Sequence, residues 1–231
     1  MTRDRCKVKI CGTTSIAAGQ MAAHSGANYS GVVVEIPFSE RSVSVTHAVE
    51  IARKTAIPTV ILVFNRPTEW VESTAEQIQP FAIQLLGHEP PAEVTRLRRA
   101  LSCEIWKSLF LPASSDQTTN VKTSCAEIQA YINAGADAVL FDTIDLSSGK
   151  ARFGGTGKTS DWSIAVKLIQ ACKIPAFLSG GIRPENVKAA IENVRPYGID
   201  LCSGVESAKG VRDWRKVDRL MQQIALTGNG N

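Results

Sequence analysis

Three glycine-bearing turns in the second half of the chain carry the first chemical signal in the sequence. Each follows a short apolar run, and they occupy residues 154–158, 179–181 and 203–206. Glycine lets the main chain approach a ligand closely, and a helix that starts after such a turn presents N–H groups with partial positive charge. Because the turn recurs on successive strand-to-helix junctions, it predicts a phosphate-binding pocket at one end of a parallel sheet.

The turn at residues 154–158 is not a nucleotide P-loop. A Walker motif requires a glycine five positions before Gly157, and Arg152 stands there. Two interpretations remain open for this segment, a phosphate or substrate loop and a flexible turn.

Cys11 ends the first apolar run and has two interpretations, a small buried hydrophobic residue or a general base. A free thiol has a pKa of about 8.5, so only a small fraction is thiolate at neutral pH. Lys9 lies two residues earlier and therefore faces the same side of a strand. We expect its positive charge to favour the thiolate.

Asp142 closes another apolar run, residues 138–141. A carboxyl group at the edge of an apolar core has a raised pKa, so Asp142 is a candidate proton donor, the alternative being an N-cap or loop carboxylate. Asp200 follows the same reasoning more weakly, because it is also expected to pair with an interior lysine. His88 follows the fourth apolar run and is a candidate for substrate contact.

The elements that position these residues alternate along the chain. Short runs rich in Val, Ile and Leu alternate with helical stretches about eight times, at spacings of about 25 to 30 residues, which predicts a single (β/α)8 TIM barrel over residues 1–231. The predicted strands are 8–11, 31–36, 59–64, 81–86, 105–109, 138–142, 176–179 and 199–202. In this fold the active site lies at the carboxyl ends of the strands.

Helix starts are predicted at several polar or proline residues. The predicted start residues are Thr14 or Ser15, Ser44, Thr159 or Ser160, and Pro184. Residues 227–231 are expected to form a frayed tail.

Composition argues against several classes of protein. The 231 residues include no C-x-x-C pair and three scattered histidines, which argues against disulfides and a structural or catalytic metal. A net charge of +4 suits an anionic small molecule, whereas dispersed basic residues and 6% aromatic content argue against nucleic acid. The sequence contains neither a membrane-spanning run nor a signal-peptide core, so we expect a cytoplasmic protein with no membrane partner.

Four motifs, in this order and spacing, resemble the phosphoribosylanthranilate isomerase family. They are KICG at residues 9–12, GGTGKT at 154–159 with DW at 161–162, SGG at 179–181 with PENV at 184–187, and SGVE at 203–206. The resemblance runs through nearly the whole chain. It implies a TIM barrel that needs no cofactor.

The resemblance also implies a reaction, namely the Amadori rearrangement of N-(5-phosphoribosyl)anthranilate to 1-(2-carboxyphenylamino)-1-deoxyribulose 5-phosphate in tryptophan biosynthesis. In the family, the cysteine of the first strand is the general base and the aspartate ending the sixth is the general acid. The matching residues here are Cys11 and Asp142. The expected partner is therefore a phosphorylated small molecule, bound by a monomer or homodimer.

Further residues carry over as ligand contacts. Arg41 matches the arginine that binds the anthranilate carboxylate, a role that suits a guanidinium fork. The other expected substrate contacts are Gln84, His88 and Asp200, and the expected phosphate contacts are Gly155, Gly180, Gly181, Ser203 and Gly204.

The chain departs from the family pattern at three places. Leu86 stands where the family usually has histidine, Cys202 replaces a usual serine, and residues 35–38 fit the pattern loosely. His88 is a possible substitute for the missing histidine. The alternatives are another aminoaldose-phosphate isomerase of the same fold, which normally has a carboxylate in place of Cys11, and a catalytically silent sugar-phosphate-binding paralogue. A metal-dependent pentose phosphate epimerase is disfavoured, since we find no histidines and carboxylates at strand ends that could bind its metal.

Overall fold

The computed structural model describes residues 6–112, 120–145, 152–153 and 162–228. Eight parallel strands form a closed barrel in these ranges: β1 (Lys7–Ile10), β2 (Tyr29–Val34), β3 (Thr59–Val63), β4 (Ala82–Leu85), β5 (Glu104–Pro112), β6 (Ala138–Asp145), β7 (Ala176–Leu178) and β8 (Gly198–Leu201). The strands pair in sequence order, and β1 pairs with both β2 and β8. The predicted TIM barrel is confirmed.

Each strand is followed by a helix on the outside of the barrel. The helices are α1 (Ile16–His24), α2 (Val45–Lys54), α3 (Thr68–Ile78), α4 (Pro91–Ala100), α5 (Val121–Ala134), α6 (Trp162–Ala171), α7 (Val187–Val194) and α8 (Trp214–Ala225). Among the residues described, no helix has the length and apolar character needed to cross a membrane.

Alternation along the strands separates two packing layers. Val8 and Ile10 of β1 pack in the large core between strands and helices, whereas Lys9 between them is fully buried on the inner side. An apolar cluster fills the inside of the barrel near the amino-terminal ends of the strands, where the rings of Trp106 and Phe177 stack with their centroids 4.9 Å apart. A smaller cluster containing Cys11 lies near the mouth. The inner side of the barrel is therefore apolar near the amino-terminal ends of the strands and carries polar and ionisable side chains near their carboxyl ends.

The predicted helix starts have mixed outcomes. Ser15 and Ser44 cap α1 and α2, each accepting a backbone hydrogen bond at 3.2 Å. Pro184 was predicted in the first turn of α7, and this is wrong, because α7 begins at Val187 after the cap residue Asn186. Residues 159 and 160 lie outside the described residues. The predicted frayed tail is wrong for residues 227 and 228, because residues 226–228 form a 3-10 turn, and residues 229–231 lie outside the described residues.

The alternation did not predict four short strands. Ser42–Val43 adds to β2, and Arg152–Phe153 pairs antiparallel with β6. Glu206–Ala208 and Val211–Arg212 form a hairpin after β8, called the β8 hairpin below. Strands of two or three residues are too short to show a period.

Candidate active site

A cavity of about 440 Å³ opens at the carboxyl ends of the strands. Among the described residues, it brings together members of seven of the eight barrel strands or the loops that follow them, all except β5. Of the predicted site residues, the lining includes Cys11, Arg41, Gln84, Asp142, Gly180, Gly181, Asp200 and Ser203. His88 and Gly204 are described but are not part of this lining. Gly155 lies outside the described residues.

Cys11 lies at the end of β1 and is only 7% exposed. Its backbone N–H donates to Leu201 O at 2.8 Å, which fixes the residue at the top of the β1–β8 ladder. Burial raises the pKa of the thiol, while the hydrogen bond and charge of Lys9 lower it. The net direction is upward. Lys9 therefore favours the thiolate, as predicted from its position, but burial outweighs it.

Lys9 is the buried cation of the site. Its Nζ donates to Asp200 Oδ1 at 2.9 Å, and the lysine side chain is fully buried. Burial acts to lower the pKa of Lys9, but Asp200 and Cys11 together raise it above its ordinary value. The predicted pairing of Asp200 with an interior lysine is confirmed, and Lys9 remains an ammonium group beside the thiol.

Asp142 lies on the inner side of β6 and is 7% exposed. Burial raises the pKa of its carboxyl group to about 6, and Asp200 adds to this rise. The Thr143 N–H, which donates to Asp142 Oδ1 at 2.7 Å, acts in the opposite direction, as does Ser179. Asp142 is thus a carboxyl group that keeps a protonated fraction near neutral pH, as the sequence predicts.

The turn after β7 contains two glycines in the left-handed region, Gly180 with φ +86° and Gly181 with φ +64°. A Cβ on Gly180 would lie 2.0 Å from Thr143 Oγ1, and one on Gly204 would lie 1.9 Å from Ile182 O. Asn186 fixes the turn by donating to Gly181 O at 2.9 Å. Glycine is therefore required at both crowded positions, where the main chain comes closest to its neighbours.

Arg41 reaches the cavity from the loop after β2. Its Nε and Nη2 donate to the two carboxylate oxygens of Glu206, at 2.8 Å and 2.6 Å. Arg212 lies nearby and donates through Nη2 to Cys11 O at 3.0 Å. The roles of Glu206 and Arg212 were missed from the sequence. Glu206 had one signal, its place in the SGVE motif, whereas Arg212 had none.

The side of the cavity beyond Arg41 is apolar. Phe38 and Phe64 meet edge to face at 5.0 Å, and Leu86 lines the same wall. The ring of His88 packs against Phe64, with centroids 6.3 Å apart. Gln84 donates to Ser108 Oγ at 2.9 Å, and its Oε1 has no hydrogen-bond partner among the described residues. This wall suits a flat apolar group with a polar edge.

The described residues include no group of three or more His, Cys, Asp or Glu side chains placed to hold a metal ion. The described ionisable side chains that line the cavity are two thiols, three carboxyl groups, one lysine ammonium and one guanidinium, namely those of Cys11, Cys202, Glu40, Asp142, Asp200, Lys209 and Arg41. A carboxyl group and a thiol with different pKa values suit proton transfer between two positions of one substrate.

Comparisons with known proteins agree with this geometry. Residues 8–223 match the family model for N-(5'-phosphoribosyl)anthranilate (PRA) isomerase. The N-(5'-phosphoribosyl)anthranilate isomerase of Aquifex aeolicus is 35% identical over 220 residues, covering 94% of this chain and 97% of that protein.

Two solved structures are also similar. Monomers generated from the dimeric phosphoribosylanthranilate isomerase of Thermotoga maritima share 28% identity, with a TM-score of 0.76 and 95% and 98% of the two chains covered. A phosphoribosylanthranilate isomerase in complex with reduced 1-(o-carboxyphenylamino)-1-deoxyribulose 5-phosphate shares 25% identity, with a TM-score of 0.77 and the same coverage.

Proposed function

Because the chain belongs to the N-(5'-phosphoribosyl)anthranilate isomerase family, we propose that it isomerises this aldose to the corresponding ketose in tryptophan biosynthesis. The observation that carries the assignment to particular residues is the shared cavity of Cys11 and Asp142. One supplies a sulfur base and the other a carboxylic acid, and an Amadori rearrangement needs one of each.

The first step is assigned to Asp142. Its carboxyl group donates a proton to the ribose ring oxygen, the bond between that oxygen and C1 breaks, and the substrate nitrogen forms a Schiff base with C1. A pKa of about 6 supports this role, because an aspartate with an ordinary pKa would be almost fully ionised at neutral pH.

The second step is assigned to Cys11. Its thiolate removes the proton on C2, and the electrons of that bond form the C1–C2 double bond of an enolamine. The enolamine then takes a proton at C1 and loses the hydroxyl proton at C2 to give the ketone. Lys9 supports this step, because its ammonium group lies beside the thiol and lowers the energy of the thiolate.

The remaining contacts hold the substrate in position. We assign the phosphate to the main chain of Gly180, Gly181, Ser203 and Gly204, and the anthranilate carboxylate to Arg41. Binding energy from these remote groups can orient the ribose between the acid and the base. The apolar wall of Phe64 and Leu86 suits the aromatic ring of this substrate better than the polar group that other aminoaldose phosphates carry in its place.

The proposed function is tested with freshly generated N-(5'-phosphoribosyl)anthranilate, whose fluorescence falls as it is isomerised. Without added metal or nucleotide, the parent protein should consume it. Cys11→Ser and Asp142→Asn should each lower kcat/KM by about 10² to 10⁴, since each removes one proton-transferring group. Thermal unfolding should show that both variants remain folded.

Two matched substitutions control for the chemical change itself. Cys172→Ser replaces a half-buried thiol that follows α6, and Asp218→Asn replaces an exposed carboxylate on α8. Both should retain parental activity. A parent that binds ribose 5-phosphate but leaves the substrate unchanged would instead be a silent paralogue.

Assembly and location remain predictions. One similar structure comes from a dimeric enzyme, which supports testing for a homodimer against a monomer by light scattering. The biosynthetic reaction supports the expected cytoplasmic location.

A further inference from the structure

Glu206 and Arg41 form a buried ion pair at the mouth of the cavity. Their side chains are only 5% and 13% exposed, and the two hydrogen bonds form a fork between one edge of the guanidinium and both carboxylate oxygens. Arginine binds carboxylates in this geometry with defined orientation as well as energy. The contact therefore sets the direction in which Arg41 points.

The fork uses a specific part of the guanidinium. Of the five N–H donors of an arginine, Glu206 takes the one on Nε and one on Nη2. Among the described contacts, the two donors on Nη1 and the second on Nη2 are not used, and one N–H from each of these nitrogens lies along the adjacent edge. Since Arg41 lines the cavity, this edge can receive a second carboxylate.

The stem of Arg41 is fixed from the other side. It crosses Gly12, the residue after Cys11, so closely that a Cβ there would lie 2.7 Å from Arg41 Cδ. Gly12 also has φ +74°, a conformation that favours glycine. The guanidinium is therefore held at a set distance from the base by Gly12 beneath it and Glu206 beside it.

Glu206 is itself well anchored. It begins the β8 hairpin, and its Oε1 accepts a hydrogen bond from Gly210 N at 3.1 Å across the turn of that hairpin. Its backbone oxygen accepts from Lys216 Nζ at 2.6 Å. Burial alone would raise the pKa of Glu206, but Arg41 lowers it below the ordinary value, so the carboxylate stays charged.

We propose that Glu206 is a positioning residue that aims the free edge of Arg41 at the carboxylate of the substrate. This inference rests on the proposed function. Glu206 touches no reacting atom, and it acts through Arg41, so its removal weakens binding of the carboxyphenyl part of the substrate and leaves binding of the phosphate end unchanged.

The first test separates binding from chemistry. Glu206→Gln keeps the shape and one acceptor, and Glu206→Ala removes the contact. Each should raise KM by about tenfold, with kcat within about twofold of the parent, because the lost interaction is present before and during the reaction. The inhibition constant of the reduced product analogue should rise in parallel, whereas that of ribose 5-phosphate should not change.

The second test is a double-mutant cycle. If Glu206 acts through Arg41, adding Glu206→Ala to Arg41→Ala should raise KM no further. Glu192→Gln on α7 removes an exposed carboxylate paired with Lys188 at 3.9 Å and should leave both constants at parental values. Thermal unfolding of every variant separates misfolding from lost positioning.

The outcomes are distinct. An unchanged KM in folded Glu206→Gln, or an equal effect of Glu206→Ala with and without Arg41, would overturn the proposal. A parallel rise in the inhibition constant of ribose 5-phosphate would also overturn it, since that result indicates general damage to the cavity. A parent that binds the reduced product analogue through Arg41 and Glu206 but turns over no substrate would reject the proposed function alone.

Discussion

Two buried lysines of the barrel form nearly identical ion pairs in different surroundings. Lys9 on β1 lies 2.9 Å from Asp200, and Lys107 on β5 lies 2.9 Å from Glu89. All four side chains are at most 7% exposed. We refer to them as the inner pair and the outer pair, because Lys9 lies inside the barrel and Lys107 faces the helices.

The two lysines nevertheless shift in opposite directions. The pKa of Lys107 is lowered, because burial outweighs the attraction of Glu89. The pKa of Lys9 is raised, because Asp200 and Cys11 together outweigh a burial that is complete. Lys107 also has two acidic neighbours, Glu89 and Glu127, so the difference is that their attraction does not offset its burial, whereas that of Asp200 and Cys11 offsets the burial of Lys9.

The outer pair holds a loop together. Lys107 also donates to Leu85 O and Gly87 O, and Glu89 accepts from the backbone of Asn65 and Gly87. The inner pair instead lies between Cys11 and Asp142 and influences the pKa of both. A similar ion pair thus supports a loop on the outer side of β5 and lies beside the proposed base and acid on the inner side of β1.

The largest expected effect comes from removing each lysine in turn. Lys9→Met and Lys107→Met each leave a buried carboxylate without its partner, so both should lower the free energy of unfolding by about 3–5 kcal/mol. Only Lys9→Met should also raise the pKa of Cys11 further and lower kcat/KM by about tenfold or more. Urea unfolding and the pH dependence of Cys11 alkylation measure the two effects.

A double variant guards against misfolding. Lys9→Met/Asp200→Asn removes both charges and should regain part of the stability while remaining impaired in activity. Equal loss of activity in folded Lys9→Met and Lys107→Met would remove the distinction between the two pairs.

The next effect concerns the stability that the protein loses by burying the Asp142 carboxyl group in the cavity. The folded-state pKa of Asp142 is about 6, above its ordinary value of 3.8, so folding favours the protonated form and stability falls as pH rises from about 4 to about 6. Asp142→Asn removes this loss and should be more stable than the parent at pH 7 by up to about 3 kcal/mol. Urea unfolding at pH 4 and pH 7 checks it.

The outer carboxylate provides the contrast for this experiment. Glu89→Gln should be less stable than the parent at pH 7, because it leaves the Lys107 ammonium buried without a counter-charge. If the stability of Asp142→Asn relative to the parent were the same at pH 4 and pH 7, the raised pKa of Asp142 would be contradicted.

A smaller effect is expected in the pH dependence of kcat/KM. The active form requires Asp142 protonated and Cys11 ionised, although Asp142 has the lower pKa. The profile should rise up to about pH 6, stay level, and fall only above the ordinary pKa of a thiol. Lys107→Met should leave both limbs in place, and a limb that moves in this variant would contradict the assignment.

The smallest effect is expected at Ser179, which links Asp142 with Asp200. Its hydroxyl lies 3.4 Å from Asp200 Oδ2, and its hydrogen bond to Asp142 lowers the pKa of that carboxyl. Ser179→Ala should move the acidic limb upward by less than about one pH unit. Ser179→Thr keeps the hydroxyl and should leave the limb unchanged. An acidic limb that stays in place or moves downward in Ser179→Ala would contradict this role of the Ser179 hydroxyl.

The sequence predicts the barrel and its chemical rim because both follow from short-range patterns. Alternation along β1 places Lys9 and Cys11 on one side, and the apolar run before Asp142 predicts its raised pKa. The same reasoning underestimates burial at Cys11, since the exposure of one side chain depends on all neighbouring strands.

The contacts of Arg41 could not be predicted in this way. Glu206 lies 165 residues further along the chain and belongs to a strand of the β8 hairpin too short to show a period. Arg212 reaches Cys11 from 201 residues away. Side-chain pairs at such separations are fixed by barrel closure, which brings the loops after β2 and β8 together.

The most direct test is a crystal structure of this protein with the reduced product analogue. C2 of the ribulose should lie within about 4 Å of Cys11 Sγ and the O4 hydroxyl in hydrogen-bond reach of Asp142, with the phosphate on the turns after β7 and β8. An analogue bound with Cys11 and Asp142 on the same side of the sugar chain, or with its phosphate against Arg41, would contradict this mechanism.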